Sequence, residues 1–166
     1  MTYQEFLDQT AEYLDALGPT QVALMLSQKF GKSPEIIARV LYKQFHLEPP
    51  KIAGALLSEH GMNLPIEDVI TIFMHVPELQ MNLRNMVEML CDYQDTNRSY
   101  EEVARALRNS SHLFPTLTVE HIAEIFHGAP ISLSLAQLIQ ILRSPEGLGL
   151  SADDALEIVA KLDYCE

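Results

Sequence analysis

Tryptophan is absent from this sequence, and cysteine occurs only twice, at Cys91 and Cys165. Two distant cysteines argue against a disulfide framework, because small disulfide-stabilised domains carry several bridges. The N-terminus lacks the basic start and apolar stretch of a secretory signal, and no run of about 18 apolar residues predicts a membrane-spanning helix. We therefore expect a protein of the reducing cytoplasm that does not insert into a membrane.

Positive charge is also scarce. The chain has 11 Lys and Arg against 23 Asp and Glu, which gives a formal net charge of −12 at pH 7. Proteins bind phosphate backbones and anionic membrane surfaces through Lys and Arg, so this balance argues against a nucleic-acid or membrane partner. It favours a partner that is basic.

Apolar residues are abundant by contrast. They make up 48% of the chain, but only 7% is aromatic, so the core must be largely aliphatic. A chain of 166 residues is long enough to form one domain and to bury a substantial core. We predict a single domain over residues 1–166.

A short apolar pattern recurs nine times along the chain. An aliphatic residue is followed by a small or aliphatic one, and another large apolar residue comes three positions later. The copies begin at Val22, Ile37, Ile52, Val69, Met86, Val103, Ile122, Leu138 and Ala155. Successive copies are 15 to 19 residues apart, a spacing that fits one short helix and one tight turn. The pattern predicts an all-α fold of eight to ten short helices in a repeat-like stack, with a compact bundle as the open alternative.

Turn and cap residues fall between these copies. The first helix is predicted over residues 2–17 and ends at Gly18 and Pro19. Ser99 and Glu102 form a capping-box pattern at the start of a later helix. Residues 109–117 form the longest apparent connection, so we expect any internal break of the domain there.

The repeated small-apolar units, several of which begin with proline, resemble those of α-solenoid helical-repeat proteins over most of the chain after Gly18. That resemblance implies a superhelical stack that binds other macromolecules. Gly-Pro-Thr-Gln-Val-Ala at 18–23 and Ser-Pro-Glu-Ile-Ile-Ala at 33–38 are similar to helix starts of DNA-reading bacterial effector repeats. The chain lacks the constant repeat length of that family and has the wrong charge for following phosphates, so DNA binding is not inferred.

No motif for catalysis or metal binding stands out. The six histidines form no His-x-x-x-His pair, and the polar segment from Asp95 has Tyr100 and Ala106 where a calcium loop needs glycine and glutamate. Cys91 follows Leu90 on an apolar face, which favours a buried core residue over a nucleophile. We therefore predict no enzyme activity, no cofactor and no metal site.

Three groups of residues are candidates for partner binding. Acids repeat at helical spacing along the predicted first helix, two bases lie one turn apart in a later helix, and two methionines offer flexible apolar contacts. The candidates are Glu5, Asp8, Glu12, Asp15, Arg39, Lys43, Met74 and Met81. Solvated helix faces and a Met-rich core would explain the same residues, and both alternatives stay open.

These features favour a non-enzymatic protein–protein interaction module, such as an adaptor, a chaperone-like subunit or a scaffold. Its apolar groove or acidic face would bind a basic or amphipathic helical segment of another protein. The alternative is an acidic inhibitor or immunity-type protein that blocks a basic partner, for instance by mimicking a nucleic acid. The module requires an exposed apolar groove, whereas the inhibitor requires a continuous array of exposed carboxylates.

Overall fold

The structure is a computed structural model that describes residues 2–91, 96, 98–115, 117–128 and 131–164. Ten α-helices and two short 3₁₀ helices account for the regular structure in these residues, and none of them lies in a β-strand. The all-α prediction is therefore confirmed, and the helices of the described residues fall within the predicted eight to ten.

The ten α-helices whose bounds the structure describes divide equally between two compact units. The first unit contains α1 (Tyr3–Asp8), α2 (Thr10–Gln28), α3 (Pro34–Lys43), α4 (Pro49–Leu57), α5 (Ile66–His75) and a 3₁₀ helix at Pro77–Leu79. The second contains α6 (Leu83–Leu90), α7 (Tyr100–Asn109), a 3₁₀ helix at Ser111–Leu113, α8 (Val119–His127), α9 (Leu135–Arg143) and α10 (Ala152–Tyr164). The connection at residues 109–117 leads from α7 to α8 inside the second unit.

Local sequence accounts for the helix starts. Ser33 caps α3 by accepting a hydrogen bond from the N–H of Ile36, with Pro34 in the first helical turn. Ser99 and Glu102 form the predicted capping box at α7. Ser99 Oγ accepts from Glu102 N–H at 3.1 Å, and Glu102 Oε1 accepts from Ser99 N–H at 3.5 Å. These bonds satisfy N–H donors that the helices leave unpaired.

The helix predicted over residues 2–17 is interrupted. Gln9 leaves helical geometry at φ −110° and ψ 29°, and its N–H donates to Phe6 O at 3.2 Å, so α1 ends at Asp8. The buried Phe6 ring lies 5.3 Å from the ring of Phe30 and 6.0 Å from that of Phe45. This aromatic packing, which is absent from the local pattern, anchors α1 separately from α2.

A second interruption falls where the sequence predicts one. Gly18, inside α2, has φ 80° and ψ 166°, a conformation that glycine alone adopts readily. Pro19 follows and lacks the N–H that would continue the hydrogen-bond ladder. The Gly-Pro pair therefore ends the first part of α2, as predicted.

The repeated apolar triplets form the core of the two units. Every position in them is buried except Ile139, which is half-buried, and Leu156, which is 55% exposed. Each fully buried large aliphatic side chain stabilises the fold by about 1.5–3 kcal/mol relative to leaving it exposed. Short helices that are marginal alone in water persist because they bury these stripes against each other.

The two units pack their helices in the same way. In the first unit α2 contacts α3 and α4, α3 contacts α4 and α5, and α4 contacts α5. In the second unit α7 contacts α8 and α9, α8 contacts α9 and α10, and α9 contacts α10. The chain therefore contains one helix-packing pattern twice, in the same order.

The turns after α4 and α9 share their backbone geometry. In each, a serine carbonyl accepts from a glycine N–H three residues later and from the N–H of a residue in left-handed conformation two further on. The first turn uses Ser58, Gly61 and Asn63, and the second uses Ser144, Gly147 and Gly149. Asn63 has φ 50° and Gly149 has φ 61°. The two serines, the two glycines and the two left-handed residues are therefore each the same number of residues apart along the chain.

Candidate functional site

The predicted acidic face lies on two helices. Glu5 and Asp8 belong to α1, whereas Glu12 and Asp15 belong to α2, and all four are exposed. The break at Gln9 interrupts the single helix that was predicted to present them. Their role in partner binding stays a prediction.

The predicted basic patch is bridged by an acid of its own unit. Arg39 Nε lies 3.3 Å from Glu78 Oε2, and Lys43 Nζ lies 3.1 Å from Glu78 Oε1. The pKa of Glu78 is lowered, first by a hydrogen bond from its own backbone N–H, and then by Lys43 and Arg39. These contacts tie α3 to the 3₁₀ helix at Pro77–Leu79, so part of the patch's positive charge is already neutralised.

The methionines are less exposed than a binding surface requires. Met74 and Met81 are half-buried, while Met86 and Met89 are buried in the second unit. Leu79, next to Glu78, is only 2% exposed. Two of these four methionines therefore pack in the core, and Met74 and Met81 keep only partial access for a partner.

The groups considered for chemistry give no reactive centre among the described residues. Burial raises the pKa of Cys91 to about 12, so its sulfur is a thiol at neutral pH and a poor nucleophile. In the part of the chain that the structure describes, no three His, Cys, Asp or Glu side chains are grouped to hold a metal ion. The rejected calcium loop begins at Asp95, which lies outside the described residues. None of the described helices is long and apolar enough to span a bilayer.

A groove in the first unit combines an apolar floor with an acidic rim. It has a volume of about 240 Å³ and lies between the start of α3 and the first turns of α5. We call it the first groove, and its lining residues are Pro34, Glu35, Leu64, Asp68, Thr71 and Ile72. Ile72 is buried, Pro34 and Leu64 are half-buried, and both carboxylates are exposed.

The second unit has an equivalent groove, of about 230 Å³, between the start of α8 and the first turns of α10. We call it the second groove, and its lining residues are Val119, Glu120, Leu150, Asp154, Glu157 and Ile158. Each of these residues holds the same position in its helix or turn as one lining residue of the first groove. The same apolar floor and acidic rim are therefore formed twice.

The shared turn geometry positions the floor of each groove. Leu64 N–H donates to Leu56 O at 2.9 Å, and Leu150 N–H donates to Leu142 O at 2.7 Å. These bonds follow directly after the left-handed residues, and they return the chain to the end of α4 or α9 before the next helix begins. Leu64 is thereby held just before α5, which carries Asp68, and Leu150 just before α10, which carries Asp154.

The two rims differ at one position. Thr71 of the first groove donates its hydroxyl to Glu67 O at 2.9 Å and carries no charge. Glu157 takes its place in the second groove, where its Oε1 lies 3.7 Å from Lys161 Nζ on the exposed surface of α10. The second groove therefore has three carboxylates and the first has two.

The other four rim carboxylates have no cation beside them in the described part of the chain. Among the described residues, no Lys, Arg or His lies within 4.0 Å of the carboxylates of Glu35, Asp68, Glu120 or Asp154. An acid in the first turn also interacts favourably with the helix dipole, which accounts for their place in the helix. Glu157 lies beyond the first turn of α10, so the dipole does not explain its negative charge.

Sequence reasoning missed these grooves because their residues are far apart in the chain and individually look like helix caps. A signal was present in the match between residues 58–72 and 144–158. Both segments carry Ser, Gly, Leu, Asp and Ile at the same five places, namely Ser58, Gly61, Leu64, Asp68 and Ile72, and Ser144, Gly147, Leu150, Asp154 and Ile158.

No protein-family model matches this chain, and no curated protein or solved structure shows significant similarity to it.

Proposed function

We propose that this protein is a non-enzymatic protein–protein interaction module, of the adaptor, chaperone-like or scaffold kind, that binds its partner through the first and second grooves. The observation that carries this proposal is the formation of one apolar-floored, acidic-rimmed groove by equivalent residues of both units. The helix dipole accounts for the first-turn acids and core packing accounts for Ile72 and Ile158, but neither requires these residues to line a groove of the same kind in both units. A groove of this character suits a partner segment with basic and aliphatic side chains.

The overall charge supports the same class of partner. A net charge of −12 attracts basic proteins over long distances and repels nucleic acids and anionic membranes. Arg39 and Lys43 contribute little attraction for an acidic partner, because Glu78 lies against both side chains. Electrostatic steering would raise the association rate, and the apolar floor would supply contacts that salt does not screen.

The second candidate is an acidic inhibitor or immunity-type protein. The exposure of Glu5, Asp8, Glu12 and Asp15 favours it, because an inhibitor that mimics a polyanion needs accessible carboxylates. The two candidates place the partner on different residues, and a matched pair of variants separates them.

The experiment is affinity capture from a lysate of the source organism with three immobilised proteins. These are the parent chain, a groove variant with Asp68→Lys and Asp154→Lys, and a control variant with Glu5→Lys and Glu12→Lys, which changes the net charge equally. The interaction module predicts specific proteins that bind the parent and the control variant but not the groove variant. Loss of binding in the control variant alone would overturn groove binding in favour of the acidic inhibitor.

A further inference from the structure

We propose that each groove accommodates one basic and one aliphatic side chain, two residues apart in an extended partner segment, so that one chain binds two such segments and the second groove binds more tightly. This inference rests on the proposed function and specifies the chemistry of its ligand. It follows from the volume of the grooves, their floor, their rims and the single difference between them.

The volume indicates a short segment. Each groove holds 230–240 Å³, the space of about eight water molecules at ~30 Å³ each. Pockets for drug-sized ligands and cofactors are larger, from about 300 Å³ upward. One or two side chains of a peptide fill the available space, whereas a whole helix or a cofactor does not.

The floor selects an aliphatic side chain. Ile72 and Ile158 form its base and are 2% and 6% exposed, and the half-buried Leu64 and Leu150 form its sides. Because that base is already buried, an aliphatic side chain would cover mainly the exposed parts of Leu64 and Leu150, which removes their apolar area from water.

The rim selects a cation next to that side chain. Glu35 and Asp68 border the first groove, and Glu120, Asp154 and Glu157 border the second. A Lys or Arg beside the aliphatic residue would contact these carboxylates, while an acidic segment would be repelled. Side chains on the same side of an extended peptide are two residues apart, so the Lys or Arg that contacts the rim must lie two residues before or after the inward aliphatic residue.

The difference between Thr71 and Glu157 ranks the two grooves. One further exposed carboxylate strengthens an ion pair by about 0.2–1 kcal/mol, which corresponds to an affinity change of about 1.4- to 5-fold. Lys161 lies beside Glu157 and reduces this advantage without removing it, because both side chains are more than half exposed. We therefore expect the second groove to bind the same segment about two- to fivefold more tightly.

The test begins with a random dodecapeptide library displayed on phage and selected on the immobilised full chain. The expected peptides combine Lys or Arg with a Leu, Ile or Val two residues away, and they fail to bind the Asp68→Lys and Asp154→Lys variant. A selected peptide is then synthesised and titrated into the ¹⁵N-labelled protein. We expect amide shifts at residues 64–72 and 150–158, with the second group saturating at lower peptide concentration.

Exchanging the distinguishing residues tests the ranking. Thr71→Glu should raise the affinity of the first groove, and Glu157→Thr should lower that of the second, each about two- to fivefold. Asp153→Asn removes an exposed charge of α10 that does not line the groove, and Gln21→Glu adds one on α2, so both serve as controls with little effect. Equal affinities in the parent chain, or equal effects of the controls, would overturn the ranking.

The outcomes also separate this inference from the proposed function. Selected peptides that are acidic, or that shift amides outside both grooves, overturn the assigned ligand chemistry. The proposed function would then survive if lysate capture still depended on the groove residues. Loss of groove-dependent capture together with groove-specific peptide binding would instead overturn the function and leave the ligand chemistry in place.

Discussion

Gly61 and Gly147 occupy the same place in the two units, each directly against a backbone carbonyl. A Cβ on Gly61 would lie 2.5 Å from Ala55 O, and a Cβ on Gly147 would meet Ile141 O more closely still. Neither position has room for a side chain. The close approach explains why glycine stands at both places, and it ties the turn that forms each groove to the preceding helix.

Replacing Gly147 with alanine should therefore destabilise the second unit. The added methyl group has to displace a helix carbonyl, which costs about 1–3 kcal/mol, as overpacking does. Glu146→Ala changes an exposed residue of the same turn and should leave the free energy of unfolding within about 0.5 kcal/mol of the parent. Urea denaturation of both variants measures the difference. Equal stabilities would show that a methyl group fits at Gly147 without displacing the carbonyl of Ile141.

Gly149 offers a test of the equivalence between the two turns. Its φ of 61° is left-handed, and Asn63 takes the same conformation in the first unit. Gly149→Asn should consequently be tolerated, whereas Gly149→Val should cost about 1–2 kcal/mol or more, because a β-branched residue is strained there. Thermal melts of the two variants compare them directly. A valine variant as stable as the asparagine variant contradicts the assigned backbone.

The triplets predict a sharp contrast between two buried leucines and an exposed one. Leu107 is completely buried, so Leu107→Asp places an unpaired charge in the core and should unfold the second unit, while Leu41→Asp should do the same in the first. Leu156→Asp is the matched control, since Leu156 is 55% exposed and the added charge stays in water. Circular dichroism should show lost helix in the first two variants only. A folded Leu107→Asp protein with the parent's melting temperature would place that residue at the surface.

The ion pairs of Glu78 predict a pH dependence. The pKa of Glu78 in the folded protein lies below its usual value of 4.5, so its contribution is complete above the unfolded pKa and is lost as pH falls through the lowered folded pKa. The melting temperature of Glu78→Gln should therefore lie below that of the parent at pH 7 and approach it in acid. A difference that persists unchanged down to pH 2 would show that the charge of Glu78 does not stabilise the fold.

The raised pKa of Cys91 predicts slow thiol chemistry. With a pKa of about 12, almost none of the thiol is ionised at pH 8, and its burial hinders access as well. In a Cys165→Ser background, the reaction with a disulfide reagent should be more than tenfold slower in the folded protein than in urea. Comparable rates in the two conditions would contradict the burial of this side chain.

Helix type and core could be predicted from the sequence because both depend on short-range apolar spacing. The triplets beginning at Val22 and Val103 are buried as expected, and Ser99 and Glu102 cap α7 as their spacing indicates. Gly18 and Pro19 likewise end the first part of α2, since the constraints of glycine and proline act locally.

The remaining features depend on contacts between distant residues. The break at Gln9 accompanies the packing of Phe6 against Phe30 and Phe45, which no local window contains. The first groove forms because Glu35 of α3 and Asp68 of α5 line the same pocket. The position of either acid in the sequence indicates only the start of a helix. Comparison of residues 58–72 with 144–158 would have revealed the repeated turn, but it would not have shown the open surface beside it.

We propose that each unit of this chain offers one binding groove of the same kind, and calorimetric titration with a selected basic–aliphatic peptide measures how many grooves bind. We expect two segments bound per chain, one per chain when either Asp68→Lys or Asp154→Lys is introduced, and none when both are present. Binding of a single segment to the parent chain, or binding that survives both substitutions, would show that the two grooves are not equivalent binding sites.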